Sequence, residues 1–201
     1  MSASIMKFTE RDRLCMPVPM YHCFGMVLGV LAAVTHGATM VFPSPVYDPE
    51  STLAAVQDEQ CTALHGVPTM FVTELDYPDF AKFDVSSLRT GIIAGAPCPE
   101  ELMKRIIGEM HMENVLIGYG QTEVSPINHM TLPDDTLENR TQTVGRPIPH
   151  IEIKIVDSIK KLAAGNLQFD INPRDSQDEV RGALKKLEID LNDIMGTIHA
   201  S

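Results

Sequence analysis

The chain has 201 residues, 44% of them hydrophobic, enough for one domain around a sizeable core. Its formal net charge of −11 makes it a poor partner for a nucleic-acid backbone or an anionic membrane, and with no tryptophan and only 5% aromatics it lacks a platform for stacking single-stranded bases. The cysteines at 15, 23, 61 and 98 show no CxxC spacing, which gives no zinc or redox motif and fits a reducing compartment.

In chain order, residues 14–18 read as a strand and residues 21–36 as a buried helix, apolar nearly all round and stopped by Gly37. This stretch holds the longest apolar run, but glycines interrupt it and it is too short to span a bilayer. No secretory leader pattern opens the sequence. Residues 39–42 form a β-branched run broken by Pro43 and Pro45. A helix over 49–60 would face Leu53, Ala54 and Val56 inward. Residues 61–67 suit a strand, and Pro68 opens a helix through Glu74, because a missing N–H costs nothing in a first turn.

Residues 88–94 are strand-like and end in Gly95-Ala96-Pro97. The clearest helix signal is 99–109, with proline at its start, acids in its first turn, and Leu102, Ile106 and Ile107 on one face. Val115-Leu116-Ile117 then reads as a buried strand, residues 132–142 as a polar, acidic loop, and residues 151–156 as a half-buried strand. Strand and helix alternating at this spacing predict an α/β fold with a mainly parallel sheet flanked by helices. Composition changes after Asp157, so the domain is expected over 1–157 with a distinct tail over 158–201. In that tail Val180, Ala183, Leu184, Leu187, Leu191, Ile194, Met195 and Ile198 recur at helical steps. They describe an amphipathic helix, packed on its own domain or docking a protein partner through residues 180–198.

The most informative stretch is Gly118-Tyr119-Gly120-Gln121-Thr122-Glu123, directly after the strand. Open α/β folds place ligands at such strand ends. Here a ring can stack on a base, a hydroxyl can bond a phosphate oxygen, a carboxylate can ligate magnesium, and glycines let the backbone approach. Read alone, the hexapeptide also describes an ordinary β-turn, with Glu123 bonding local amides. His22 by itself equally describes a satisfied histidine at a helix start.

Four other segments occur in order with it: Pro19-Met20-Tyr21-His22-Cys23-Phe24-Gly25, Val67-Pro68-Thr69-Met70-Phe71, Ala94-Gly95-Ala96-Pro97 and Val144-Gly145-Arg146-Pro147. Together they resemble the adenylate-forming (AMP-binding) superfamily, and within it the medium-chain fatty acyl-CoA synthetases, over about residues 8–157. The resemblance implies a fragment of the large N-terminal domain of those enzymes. It implies ATP-dependent activation of a carboxylate to an acyl-adenylate and pyrophosphate, then transfer to CoA, with ATP/AMP and Mg2+ as cofactors. By motif, Gly95, Ala96 and Pro97 would line the adenine pocket, Tyr119 would stack on adenine, and Gly120 would belong to the same nucleotide-binding turn. Thr122 would hold the α-phosphate, Glu123 the magnesium, and His22 would stand beside the acyl carboxylate. Val67, Thr69 and Met70 would run along the acyl tunnel. These roles need positioning and charge stabilisation more than acid–base chemistry.

The family's serine-, threonine- and glycine-rich phosphate loop ending in lysine, its ribose-binding aspartate and its C-terminal lysine have no counterpart here. The expectation is therefore a truncated ligase with little or no turnover. The alternative is a non-enzymatic interaction protein that docks a partner through its tail. The expected location is intracellular, in the mitochondrial matrix or the cytoplasm.

Overall fold

A computed structural model describes residues 1–151. A short helix, Ser2–Ile5 (α1), precedes the first strand, Arg13–Cys15 (β1). A long helical stretch follows, wound as a π-helix over Phe24–Leu31 and as an α-helix over Ala32–His36 (α2), and it ends at Gly37 in the left-handed region. Next come Thr39–Val41 (β2), Pro49–Asp58 (α3), Ala63–Leu64 (β3), Pro68–Leu75 (α4) and Thr90–Ala94 (β4). The described chain is completed by Glu100–Glu109 (α5), Asn114–Tyr119 (β5), His129–Met130 (β6), Leu137–Gln142 (α6) and Arg146–Pro147 (β7).

The strands form one sheet in the order β2-β1-β3-β4-β5-β6-β7. The first five are parallel, with Leu14 opposite Ala63 and Ile92 opposite Leu116, and the last two run antiparallel beyond β5. This is the mainly parallel sheet flanked by helices that the alternating elements predict.

Alternation along each strand supplies both faces of the sheet with core. Cys15, Leu64, Ile93, Val115 and Ile117 pack with Leu53 and Val56 of α3, Phe71 and Leu75 of α4, and Leu102, Met103 and Ile106 of α5. Leu14, Ala63, Ile92 and Leu116 pack on the other face with Ala3, Met6, Phe24, Leu28, Ala32 and Ala33. A fully buried large aliphatic side chain stabilises by about 2–3 kcal/mol, so each cluster far outweighs local propensity. Capping fixes where the helices begin. The Asp48 carboxylate accepts from Ser51 N–H at 2.7 Å beside Pro49, and Thr136 Oγ1 accepts from Asn139 N–H at 3.2 Å to start α6.

Three sequence expectations are corrected. Residues 132–142 are not all loop, because α6 forms over Leu137–Gln142. It has no apolar stripe to announce it; its cap and the buried Arg140 hold it instead. The strand expected over 61–67 shrinks to Ala63–Leu64, with one further bridge from Gly66 to Ile93. The strand expected over 14–18 ends at Cys15, before Pro17 removes a ladder donor. Beyond Ile151, the strand expected to 156 and the amphipathic stripe of 180–198 lie outside the described residues.

Candidate functional site

The parallel strands end on one edge of the sheet, and the motif residues follow those ends. Chain direction across the sheet reverses between β1 and β3, the switch point where open α/β sheets leave a crevice. A cavity of about 470 Å³ opens at this edge. It is lined by Val18, Pro19, His22 and Cys23 after β1, by Val67 and Met70 after β3, by Gly95 after β4, and by residues 118–123 of the β5 turn. Phe24, Leu28 and Ile127 complete an apolar end, while His22, Thr122 and Glu123 bring polar groups to the same space. A second cavity, of about 440 Å³, is lined by Gly95, Ala96, Pro97, Tyr119 and Gly120 together with Arg140 and residues 141–144. The two cavities share Gly95, Gly118, Tyr119 and Gly120.

The β5 turn is shaped by what it has no room for. A Cβ on Gly120 would lie 2.0 Å from the Pro126 carbonyl oxygen, so the turn folds back on itself only with glycine here. Gly95 has φ +89, which fits the sharp exit from β4. Gly120→Ala is expected to displace the 120–126 turn at a cost of about 1–3 kcal/mol. A thermal melt checks this, and an unchanged melting temperature would show that the turn yields. Tyr119 is 47% exposed and meets the His129 ring edge-on, with centroids 6.0 Å apart, which leaves its ring accessible to a ligand.

Thr122 and Glu123 begin a single 3₁₀ turn, Thr122–Val124, and both are exposed to the cleft. Among the described residues no group of three or more His, Cys, Asp or Glu gathers to hold a metal. A lone exposed carboxylate still suits magnesium, which keeps much of its water and takes one or two carboxylates plus phosphate oxygens.

On the other wall, the His22 Nδ1 accepts the Phe24 N–H at 3.1 Å, which leaves Nε2 to carry the ring proton when the imidazole is neutral. Beneath this wall, buried His65 locks the π-helix to the sheet. Its Nδ1 accepts from Ile92 N–H at 3.2 Å and its Nε2 donates to the Leu28 carbonyl at 3.1 Å. Burial pushes its pKa down to about 4, so the ring stays neutral and this bond pattern persists at neutral pH.

Of the residues singled out in the sequence, His22, Val67, Met70, Gly95, Tyr119, Gly120, Thr122 and Glu123 line the first cavity, and Ala96 and Pro97 line the second. Thr69 is exposed on α4 and lines neither. Sequence reasoning missed Cys23, Leu28, Ile127 and Arg140 as lining residues. Cys23 lies inside the 19–25 motif and is within reach of the sequence, whereas Arg140 lies in a segment whose polarity reads as loop.

A mainly parallel sheet with a glycine-rich turn, an open aromatic ring and a carboxylate at its carboxyl edge presents the ligand crevice that open α/β folds carry there. The chain belongs to the AMP-binding enzyme family, whose model matches residues 1–166. It is 52% identical over 153 residues to the acyl-CoA ligase sidI of Aspergillus fumigatus, covering 76% of this chain and 26% of that protein. It is 48% identical over 145 residues to the mitochondrial medium-chain acyl-CoA ligase ACSF2 of Danio rerio, covering 72% of this chain and 24% of that one. The N-terminal domain of FACL13 from Mycobacterium tuberculosis superposes with a TM-score of 0.64 at 28% identity, over 73% of this chain and 36% of that chain. The chain thus spans about a quarter of the length of the curated relatives it matches. No helix among the described residues is long and apolar enough to cross a membrane.

Proposed function

We propose that this chain provides the adenylate and acyl half of a fatty acid–CoA ligase site. The observation that carries the reading is convergence: segments more than 100 residues apart in sequence, from His22 to Glu123, line one 470 Å³ cavity. The apolar end formed by Phe24, Leu28, Met70 and Ile127 receives an alkyl chain, where methionine adapts to irregular shape. The second cavity, between Ala96-Pro97 and residues 141–144, receives adenine, with Tyr119 stacked on the base. The acyl carboxylate and the α-phosphate then meet between His22 and Thr122.

In this arrangement Thr122 donates a hydrogen bond to an α-phosphate oxygen, His22 holds the carboxylate end of the acyl chain, and Glu123 holds magnesium. When bound, magnesium supplies positive charge against the phosphate oxygens as negative charge builds there. CoA enters this reading as the acceptor of the acyl group. An intracellular location, mitochondrial or cytoplasmic, belongs to the same reading.

A thermal-shift titration with a medium-chain acyl sulfamoyl adenosine, with and without magnesium, tests it. The expected result is a saturable rise in melting temperature that is larger with magnesium. Glu123→Ala should abolish the magnesium increment and weaken binding at least about tenfold. A cooperative melt with no shift at saturating ligand would overturn the reading.

A further inference from the structure

Among the polar side chains of the cleft, Cys23 receives no task from the motif or family reading. The Cys23 Sγ lies 3.4 Å from Thr122 Oγ1 and 3.8 Å from His22 Nδ1, at the junction of the two cleft walls. Cys23 is half-buried and lines the cavity, whereas Cys15 and Cys61 are fully buried and Cys98 is 5% exposed. The His22 Nδ1 already accepts the Phe24 N–H at 3.1 Å, which leaves Thr122 Oγ1 as the better partner for the thiol. Among the described residues, Cys23 is the only side chain hydrogen-bonded to the Thr122 hydroxyl.

The geometry points to Cys23 as a positioning residue for Thr122. This inference rests on the reading of Thr122 as a phosphate donor. A hydroxyl has one proton to give and two lone pairs to receive. When the Cys23 S–H donates to Oγ1, the Thr122 O–H is turned outward, with its proton available to a phosphate oxygen. Without the thiol, the hydroxyl rotates freely and must be ordered when ligand binds, at a cost in affinity. The contact also spans 99 residues of sequence, joining the start of the π-helix to the 3₁₀ turn.

The test uses the full chain with AMP and adenosine, which differ only in the phosphate. Cys23→Ala should bind AMP about five- to tenfold more weakly than wild type, bind adenosine equally well, and melt at the wild-type temperature without ligand. Cys23→Ser keeps a donor on a shorter bond and should recover part of the AMP affinity. Iodoacetamide provides a readout independent of binding strength: the Cys23 sulfur attacks the methylene carbon, iodide leaves and the thiol proton passes to solvent. Peptide mapping should show Cys23 carbamidomethylated well before the three buried thiols, and AMP should slow that labelling. Equal losses for AMP and adenosine in Cys23→Ala would show a merely structural role and overturn the inference. So would unchanged AMP binding, or labelling of Cys23 no faster than of Cys15. If wild type binds neither AMP nor adenosine, the functional reading fails and takes this inference with it; wild-type binding with an unaffected Cys23→Ala defeats the inference alone.

Discussion

Glu74→Gln should flatten the dependence of stability on pH and raise the melting temperature at pH 8. Glu74 lies on α4 at 1% exposure, and neither carboxyl oxygen has a hydrogen-bond partner among the described residues. The Tyr47 phenol is nearby, but its proton goes to the Met70 carbonyl at 2.9 Å and its oxygen is shared with Thr73. Burial pushes the Glu74 pKa up from an ordinary 4.5 to about 8, with Tyr47 opposing the shift only in part. Between those two values the folded chain holds a proton that the unfolded chain has released. Stability is therefore greatest below the unfolded pKa and is lost as pH rises through about 8. At about 1.4 kcal/mol per pH unit the loss is several kcal/mol as an upper limit, and water entry and relaxation reduce it to about 2–4 kcal/mol. For a domain of this size, that is roughly 5–15 °C in melting temperature. Melts of wild type and Glu74→Gln across pH 5 to 9 check it, with Glu74→Met as a second variant that brings no amide into the core. Equal pH slopes in all three proteins would show that Glu74 does not ionise in this window. Because α4 also carries Met70 of the cavity wall, ligand affinity should weaken in parallel at high pH in wild type and not in Glu74→Gln.

The fold was legible where apolar pattern and punctuation agree. Leu102 and Ile106 announce α5, and Val115-Leu116-Ile117 announces β5, because each places apolar side chains at the spacing of its element and buries them in the core. The cleft lining was legible because its residues sit at strand ends, where glycine and proline mark the exits and polar side chains cannot serve the core. Other features depend on tertiary context. The two-residue strand β3 exists because β1 and β4 flank it, and a run from 61 to 67 contains nothing that limits pairing to Ala63 and Leu64. The π-helix Phe24–Leu31 packs through Gly29, where a Cβ would lie 2.2 Å from Met16 Sδ, and through His65, whose Nε2 donates to the Leu28 carbonyl. Local propensity contains neither contact. Helix α6 was hidden for a related reason: its anchor is a charge, and a charge in a polar segment reads as solvated.

That anchor gives the largest expected loss. Arg140 is 7% exposed, yet its guanidinium meets no carboxylate among the described residues directly; it donates to backbone carbonyls instead. Nε bonds Asp135 O at 3.1 Å, Nη1 bonds Glu113 O at 2.7 Å and Val115 O at 3.4 Å, and Nη2 bonds Pro133 O. Burial lowers its pKa from the ordinary arginine value, with Asp135 and Asp134 pulling the other way. One planar fork thus closes the 133–135 loop onto the start of β5, the strand that ends in the Tyr119 turn. Arg140→Met keeps the stem and its packing but leaves these carbonyls in a space that water reaches poorly. Charge-assisted bonds of this kind contribute about 1.5–3 kcal/mol each, and buried orphan acceptors cost about 1–3 kcal/mol. Partial rescue by water brings the expected loss to about 3–5 kcal/mol, or roughly 6–20 °C in melting temperature. Arg140→Lys should lose nearly as much, because one ammonium cannot span carbonyls on both sides of the fork. Since Arg140 also lines the second cavity, adenosine binding should fall with stability in both variants. A melt of Arg140→Met within about 2 °C of wild type would mean that water satisfies the carbonyls and that α6 is held by its Thr136 cap and Leu137 packing alone.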